Sequence, residues 1–362
     1  MNTFGRILRL TTFGESHGVA IGGVLDGMPA GLSIDLEAIQ AALARRRPGQ
    51  SSVSTTRREE DHVEFVSGLL DGRTLGTPIG FIIRNQDQRS SHYEAISSVF
   101  RPSHADYTYQ AKYGIRDARG GGRASARETA IRVVAGALAA QLLGTLGIEV
   151  LAYTSSIGST ALAEQYLDEI QREDIEASIV RCPEVEKSRL MQEEIHLAQA
   201  EGDSLGGVIS CIARRLPAGW GEPIYDKLSA RLASAMLSIN AARAFELGDG
   251  WAMAGSRGSL VNDEMSTQGG KISHRTNHSG GVLGGISNSE ILRLRVAFKP
   301  TATIAKEQTT TNINAETVRL SARGRHDPCV VPRAVPVVEA MVCLVLADFY
   351  LISRSSQPIE RL

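Results

Sequence analysis

Lysine is scarce in this chain of 362 residues: of 39 basic side chains only six are lysine, leaving 33 arginines. Sustained hydrophobic runs are missing as well. No stretch reaches the roughly 18 uninterrupted apolar residues of a membrane helix, and Met1 to Thr12 lacks the apolar centre of an export signal. The expected location is therefore the cytoplasm, away from membranes. Cysteine is limited to Cys182, Cys211, Cys329 and Cys343, widely spaced and with no CxxC pair, so neither a disulfide framework nor a zinc site is expected. The histidines show no HExxH spacing either. With a net charge of −1 there is no broad basic footprint for nucleic acid.

What is present is an ordinary globular composition, 42% apolar, enough for a large core in one or two domains. The arginine excess points toward anionic ligands, because the planar guanidinium fork holds carboxylate and phosphate in bidentate fashion. Codon bias explains a high total equally well, so only clustered arginines count. Val63 to Leu70 and Pro78 to Ile83 alternate like strands, while Leu36 to Arg46, Arg127 to Leu143, Ile224 to Ala241 and Arg333 to Leu351 repeat at helical spacing. A mixed α/β chain is predicted. The Glu-rich stretch Ala161 to Ala200 is the best compositional boundary, although motifs lie on both sides of it.

An internal echo favours one intertwined core. Gly14-Glu15-Ser16-His17-Gly18 precedes an apolar run, Pro29-Ala30-Gly31 and a helix; Gly202-Asp203-Ser204-Leu205-Gly206 precedes a similar run, Pro217-Ala218-Gly219 and a helix. Each proline falls fifteen positions after the first glycine. Matched spacing and element order predict a duplicated unit with pseudo-twofold symmetry, with Leu205 standing where the first copy has His17.

Several segments carry chemistry. Gly14 to Gly18 matches the GxSxG nucleophile elbow and Gly202 to Leu205 the start of a GDSL pattern, so a serine hydrolase is one reading; an elbow, however, must lead from strand into helix, and Val19 to Gly27 is poor helix. Gly120-Gly121-Gly122-Arg123 leads into a helix with a Ser125/Glu128 capping box, which reads either as an anion site helped by Arg123 and Arg127 or as a flexible loop before a capped helix. Arg45-Arg46-Arg47-Pro48-Gly49 ends a helix, and its charges either cap the helix in solvent or extend with Arg57 and Arg58 into an anion patch. Arg101-Pro102-Ser103-His104-Ala105-Asp106 and Arg323-Gly324-Arg325-His326-Asp327 each set a histidine and a carboxylate within one turn, an arrangement that fixes an imidazole tautomer and supports proton transfer.

In order and across nearly the whole length, these segments resemble the chorismate synthase family. The matching text includes Thr11 to Gly18, Arg45 to Gly49, Gly120 to Thr129, Ser238-Ile239-Asn240-Ala241, Asn277 to Ile286, Lys299-Pro300-Thr301 and Gly324 to Cys329. The resemblance implies a β-α-β sandwich, a helical core between two antiparallel sheets, assembled as a homotetramer. It also implies a lyase that eliminates phosphate from 5-enolpyruvylshikimate 3-phosphate using reduced FMN, with NADPH or a separate flavin reductase as the source of electrons. By the same resemblance, flavin contacts fall on Arg123, Ala124, Ser125, Asn240, Ala241, Gly284, Lys299, Pro300, Thr301, Ala302, Thr303 and Arg325. Proton handling falls on His17, His104 and Asp327; substrate or NADP contacts fall on Ser16, Arg46, Arg127 and Ser52. Ser52 and Ala302 depart from the family pattern, which commonly has arginine and a hydroxyl residue there.

Overall fold

The computed structural model of the chain describes residues 1–50, 53, 60–85, 97–321 and 326–356. Ser52, Arg57, Arg58, Arg323 and Arg325 lie outside these residues. Alternation sets the sheets: in Leu292–Phe298 every second residue, from Leu292 to Phe298, is buried while those between are half-buried, as expected for a sheet with one covered face.

The first sheet contains β1 (Thr3–Phe4), β2 (Arg9–Phe13), β3 (Ala20–Asp26), β4 (Val63–Phe65) and β5 (Ile79–Arg84), in the order β1-β2-β3-β5-β4 and antiparallel throughout. The second contains β6 (Glu149–Ile157), β7 (Thr160–Ala161), β8 (Gly207–Arg214), β9 (Ala242–Leu247) and β10 (Leu292–Phe298), in the order β9-β10-β8-β6-β7, again antiparallel. The main helices are α1 (Leu36–Arg46), α2 (Asp106–Tyr113), α3 (Thr129–Gly144), α4 (Val185–Ala200), α5 (Leu228–Leu237) and α6 (Val331–Ser356).

Helices α3 and α6 lie against each other in the middle, flanked by α1 and α5, with α3 on β2 and β3 and α6 on β6 and β8. This is the predicted sandwich. The strand run β2-β3-β5-β4 is repeated by β6-β8-β10-β9; in both halves a helix follows the second strand (α1, α5), and each half ends in one of the two central helices (α3, reached after α2, and α6). The fold is thus internally duplicated, and the two echoing segments share one strand-turn-helix order. The halves divide after α3, not in the Glu-rich stretch: α4, inside that stretch, packs on β6 and β7. Composition misled there because a solvated amphipathic helix and a linker are both rich in charge.

α6 is long and apolar enough by composition to cross a membrane, with a mean hydropathy of 2.1, yet 83% of that window is buried inside the protein. Arg333, Glu339 and Asp348 keep it from being an uninterrupted apolar run. Its burial makes it a core helix. Glu339 remains charged in the core by accepting hydrogen bonds from Arg45 (2.5 Å), Arg172 (3.2 Å) and the Ala152 N–H (3.0 Å). Arg45 is therefore tied inward and does not cap α1 in solvent.

The two central helices meet at Gly136. A Cβ there would stand 2.3 Å from Ala340 Cβ and 2.4 Å from Ala340 Cα, so only glycine permits the observed approach. Gly136→Ala should destabilise the protein by about 1–3 kcal/mol through overpacking, despite alanine's better helix propensity. Urea denaturation measures this; an unchanged or raised midpoint would show that the helices separate without cost.

Candidate active site

A cleft of about 900 Å³ opens at one end of the central helices. The loops leading into α3 and α6, the C-terminal ends of α1 and α5, the turn before α2 and the segment after β10 all contribute walls. Of the residues singled out in the sequence, Arg46, His104, Arg123, Ala124, Ser125, Arg127, Asn240, Ala241, Lys299, Pro300, Thr301, Ala302, Thr303 and Asp327 line it. Local patterns could not have joined these segments, which span almost the whole chain.

Three of the residues described are placed elsewhere. Gly284 sits exposed on a hairpin turn between Val282–Leu283 and Ile286–Ser287, outside this lining. Ser16 and His17 are buried behind the wall, with Ser16 Oγ 3.2 Å from His17 Nδ1. His17 nevertheless lies directly against a wall residue, since a Cβ on Gly120 would come within 2.1 Å of its Cε1.

The serine-hydrolase reading fails on geometry. Gly14 to Gly18 joins β2 to β3, so the segment runs from strand to strand and forms no elbow. Ser204 is also buried, and its hydroxyl donates to the Thr301 carbonyl at 2.8 Å.

The glycine loop differs in detail from the expected helix N-terminus. Gly120, Gly121 and Gly122 have φ of 74°, 110° and 53°, the left-handed region that glycine enters without Cβ strain. Two short 3₁₀ turns follow, Gly122–Ala124 and Ala126–Glu128, and α3 begins only at Thr129. The Ala124, Ser125 and Glu128 N–H groups bond inside these turns, so the loop does not present an open fan of amides. No Ser125/Glu128 box closes: Ser125 accepts from the Arg127 N–H, while Glu128 accepts from Thr12 (3.1 Å) and Arg132 (2.9 Å). A strand 116 residues away in sequence competes successfully for the carboxylate.

Anion attraction comes instead from side chains. Among the described residues, seven arginines and Lys299 line the cleft against two carboxylates, Glu128 and Asp327. Burial and the neighbouring Arg243 push the Lys299 pKa down. Arg46 and Arg127, far from being solvated, are almost fully buried and share Asp61 as counter-ion. Burial raises the Asp61 pKa, but Arg46, Arg127 and Arg333 outweigh it and hold the carboxyl below its ordinary value. Arg333 also pairs with Asp327 and donates to the Arg46 carbonyl at 3.1 Å.

His104 Nδ1 stands 2.9 Å from Asp106 Oδ1, as the motif predicted. His326 and Arg101, one from each of the two His–Asp motifs, complete this wall. For Arg101 the signal was its adjacency to the His–Asp turn, whereas Arg333, inside a helical repeat, gave none. Burial, with Arg101 and His104 nearby, pushes the His326 pKa down to about 4, so this ring is neutral at physiological pH. Among the described residues, two buried wall atoms have no hydrogen-bond partner: Asn240 Oδ1 and Thr301 Oγ1. Unmet polar atoms at such depth are what a polar ligand would satisfy.

Comparison with known proteins places this geometry in context. The family model described as chorismate synthase matches residues 8–351. A chorismate synthase of Porphyromonas gingivalis is 58% identical over 358 residues, 99% of this chain and 97% of that protein. One from Bacteroides fragilis is 55% identical over 356 residues, covering 98% and 99%. A solved structure, "Crystal Structure of Chorismate Synthase", aligns with a TM-score of 0.78 at 33% identity, covering 97% of this chain and 93% of the other.

Proposed function

The chain belongs to the chorismate synthase family, and on that premise we propose how its cleft performs the reaction. The enzyme is a carbon–oxygen lyase that eliminates phosphate from 5-enolpyruvylshikimate 3-phosphate to give chorismate, the last common step toward the aromatic amino acids. The substrate brings two carboxylates and a phosphate, and no carbonyl acidifies the C–H bond that must break. Simple acid/base catalysis is therefore insufficient. When bound, reduced FMN supplies transient electron density that eases the departure of phosphate without net redox change.

The walls fit that cofactor. Arg123, Ala124, Ser125, Asn240, Ala241 and the Lys299 to Thr303 segment would hold it, with Asn240 Oδ1 and Thr301 Oγ1 as ready polar contacts. Ala302 contributes only a methyl to this wall. Arg46, Arg127 and Arg333 supply the positive field that neutralises substrate anions. With the cofactor bound, His104 would be its proton partner, Asp327 would be the carboxylate poised beside it, and His17, behind Gly120, would be the donor to departing phosphate. The single observation that carries this reading is the convergence of the resemblance's flavin segments other than Gly284, among the described residues, on one cationic cleft.

We place the enzyme in the cytoplasm as a homotetramer; the exposed apolar side chains of Trp251, Leu260, Met265 and Ile272 support self-association. Anaerobic assay should give chorismate only with reduced FMN, releasing one phosphate per turnover and leaving the flavin reduced. Absence of product with excess dithionite would overturn the cofactor assignment. Aerobic turnover with NADPH and FMN alone would identify NADPH as direct reductant; none would assign that role to a separate flavin reductase.

A further inference from the structure

One turn gathers three polar side chains whose roles are mutually restrictive. Ser103, with φ of 56°, bends the chain so that Arg101, His104 and Asp106 face each other. The Arg101 guanidinium donates to both oxygens of Asp106, Nε to Oδ2 at 2.8 Å and Nη2 to Oδ1 at 2.9 Å. The Arg101 backbone N–H adds a third bond to Oδ2 at 3.1 Å, and Arg116 approaches Oδ1 at 3.4 Å. His104 Nδ1 is then 2.9 Å from Asp106 Oδ1 and 3.1 Å from Arg101 Nη2.

These contacts make incompatible demands on Nδ1. A guanidinium nitrogen can only donate, and an ionised carboxylate oxygen can only accept. If Nδ1 carried a lone pair, that lone pair would stand 2.9 Å from an anionic oxygen, whereas an Nδ1–H would be attracted to the same charge. The carboxylate does stay ionised: burial raises its pKa, but the bonds from Arg101 and His104 hold it far below the usual range. Nη2 carries two hydrogens: one stays on Oδ1 at 2.9 Å in either tautomer, and only the one aimed at Nδ1, at 3.1 Å, is given up in the Nδ1–H form.

We propose that Asp106, oriented by the Arg101 clamp, is a positioning residue that keeps the proton of neutral His104 on Nδ1, making Nε2 the atom that exchanges protons with the bound ligand. The opposite edge of the ring supports this. A Cβ on Gly121 would lie 3.2 Å from His104 Cε1 and 3.4 Å from Nε2, so the glycine leaves Nε2 space beside the loop. Arg101 acts as a clamp and not as a substrate anchor, since Nη1 is directed at Thr303 Oγ1 (3.5 Å) and its other nitrogens at Asp106 and His104.

The proposal rests on the proton-handling role given to His104, but its test does not depend on turnover. In ¹⁵N-histidine-labelled protein without ligand, with the His104 signals identified by their loss in His104→Gln, long-range ¹H–¹⁵N spectra at alkaline pH should show Nδ1 protonated and Nε2 bare. The opposite tautomer, with Nδ1 accepting from Arg101, would overturn the proposal. Asp106→Asn offers an amide that can donate to Nδ1, so the Nδ1–H signature should fall and turnover drop on the order of 100-fold with KM nearly unchanged. A folded Asp106→Asn protein that keeps the wild-type tautomer would also overturn it. Should that variant not fold, the wild-type spectrum alone decides, and an inactive wild type showing the Nδ1–H form would count against the cofactor reading but not against this one.

Discussion

His104→Ala lowers turnover with reduced FMN by roughly 100-fold or more while FMN and substrate affinities change little, the effect expected when positioned proton transfer is lost. The argument is geometric. His104 lines the cleft, but the cationic walls around it belong to other residues: Arg123, Arg127, Arg333 and Lys299 stay in place when the imidazole is removed. Ground-state binding should therefore survive, because anion neutralisation contributes similarly before and during reaction. His17→Ala tests the second proton-handling assignment: its ring is buried directly behind Gly120, a wall residue, so turnover should fall while the cationic walls that bind ligand stay unchanged. Calorimetric FMN titration and anaerobic stopped-flow assays separate the two quantities. A His104 variant that bound weakly but kept its maximal rate would show that the ring anchors ligand and does not move protons.

How far the sequence foretold this site depends on the range of the interaction concerned. Helix α1 was legible to the residue, Leu36–Arg46, because its apolar spacing is a local signal. Helix α5 is shorter than its pattern, Leu228–Leu237 rather than Ile224 to Ala241, because its end turns toward the cleft, with Ala241 at φ 68°. The ordered motifs located the cleft walls, and the His104–Asp106 pairing was visible within one turn. The environment of the arginines was not. Arg45 looked like a solvated cap, yet its partner Glu339 is 294 positions away, and no periodicity encodes such a pair. The Ser125 box failed for a similar reason, its glutamate being claimed by Thr12 and Arg132. Asp61 gave no signal at all, being one acidic residue after Glu59 and Glu60.

Asp61 is nonetheless where the largest loss of stability is expected. Its side chain is fully buried between Arg46 and Arg127, which are themselves only 3% exposed at their side chains. Asp61→Ala would leave two guanidiniums buried with their shared counter-ion gone, and breaking a buried pair from one side costs about 3–5 kcal/mol. The backbone adds to this, because φ at Asp61 is 50° and alanine tolerates the left-handed region poorly, costing a further ~1 kcal/mol. Against a typical domain stability of about 5–15 kcal/mol, that is enough to threaten folding. The same network changes what Arg46→Ala should do: besides weakening substrate binding, it removes one of the cations that hold Asp61 ionised, so stability falls with affinity. Asp61→Asn supplies the pH test. The folded pKa of Asp61 is depressed, so its charge contributes fully above the unfolded value of about 4 and the contribution is lost as pH falls through the folded value. The stability gap between wild type and Asp61→Asn, measured by urea denaturation, should accordingly be widest near neutrality and shrink toward acid. A gap that stayed constant with pH would mean that packing, and not the charge shared by Arg46 and Arg127, is what Asp61 contributes.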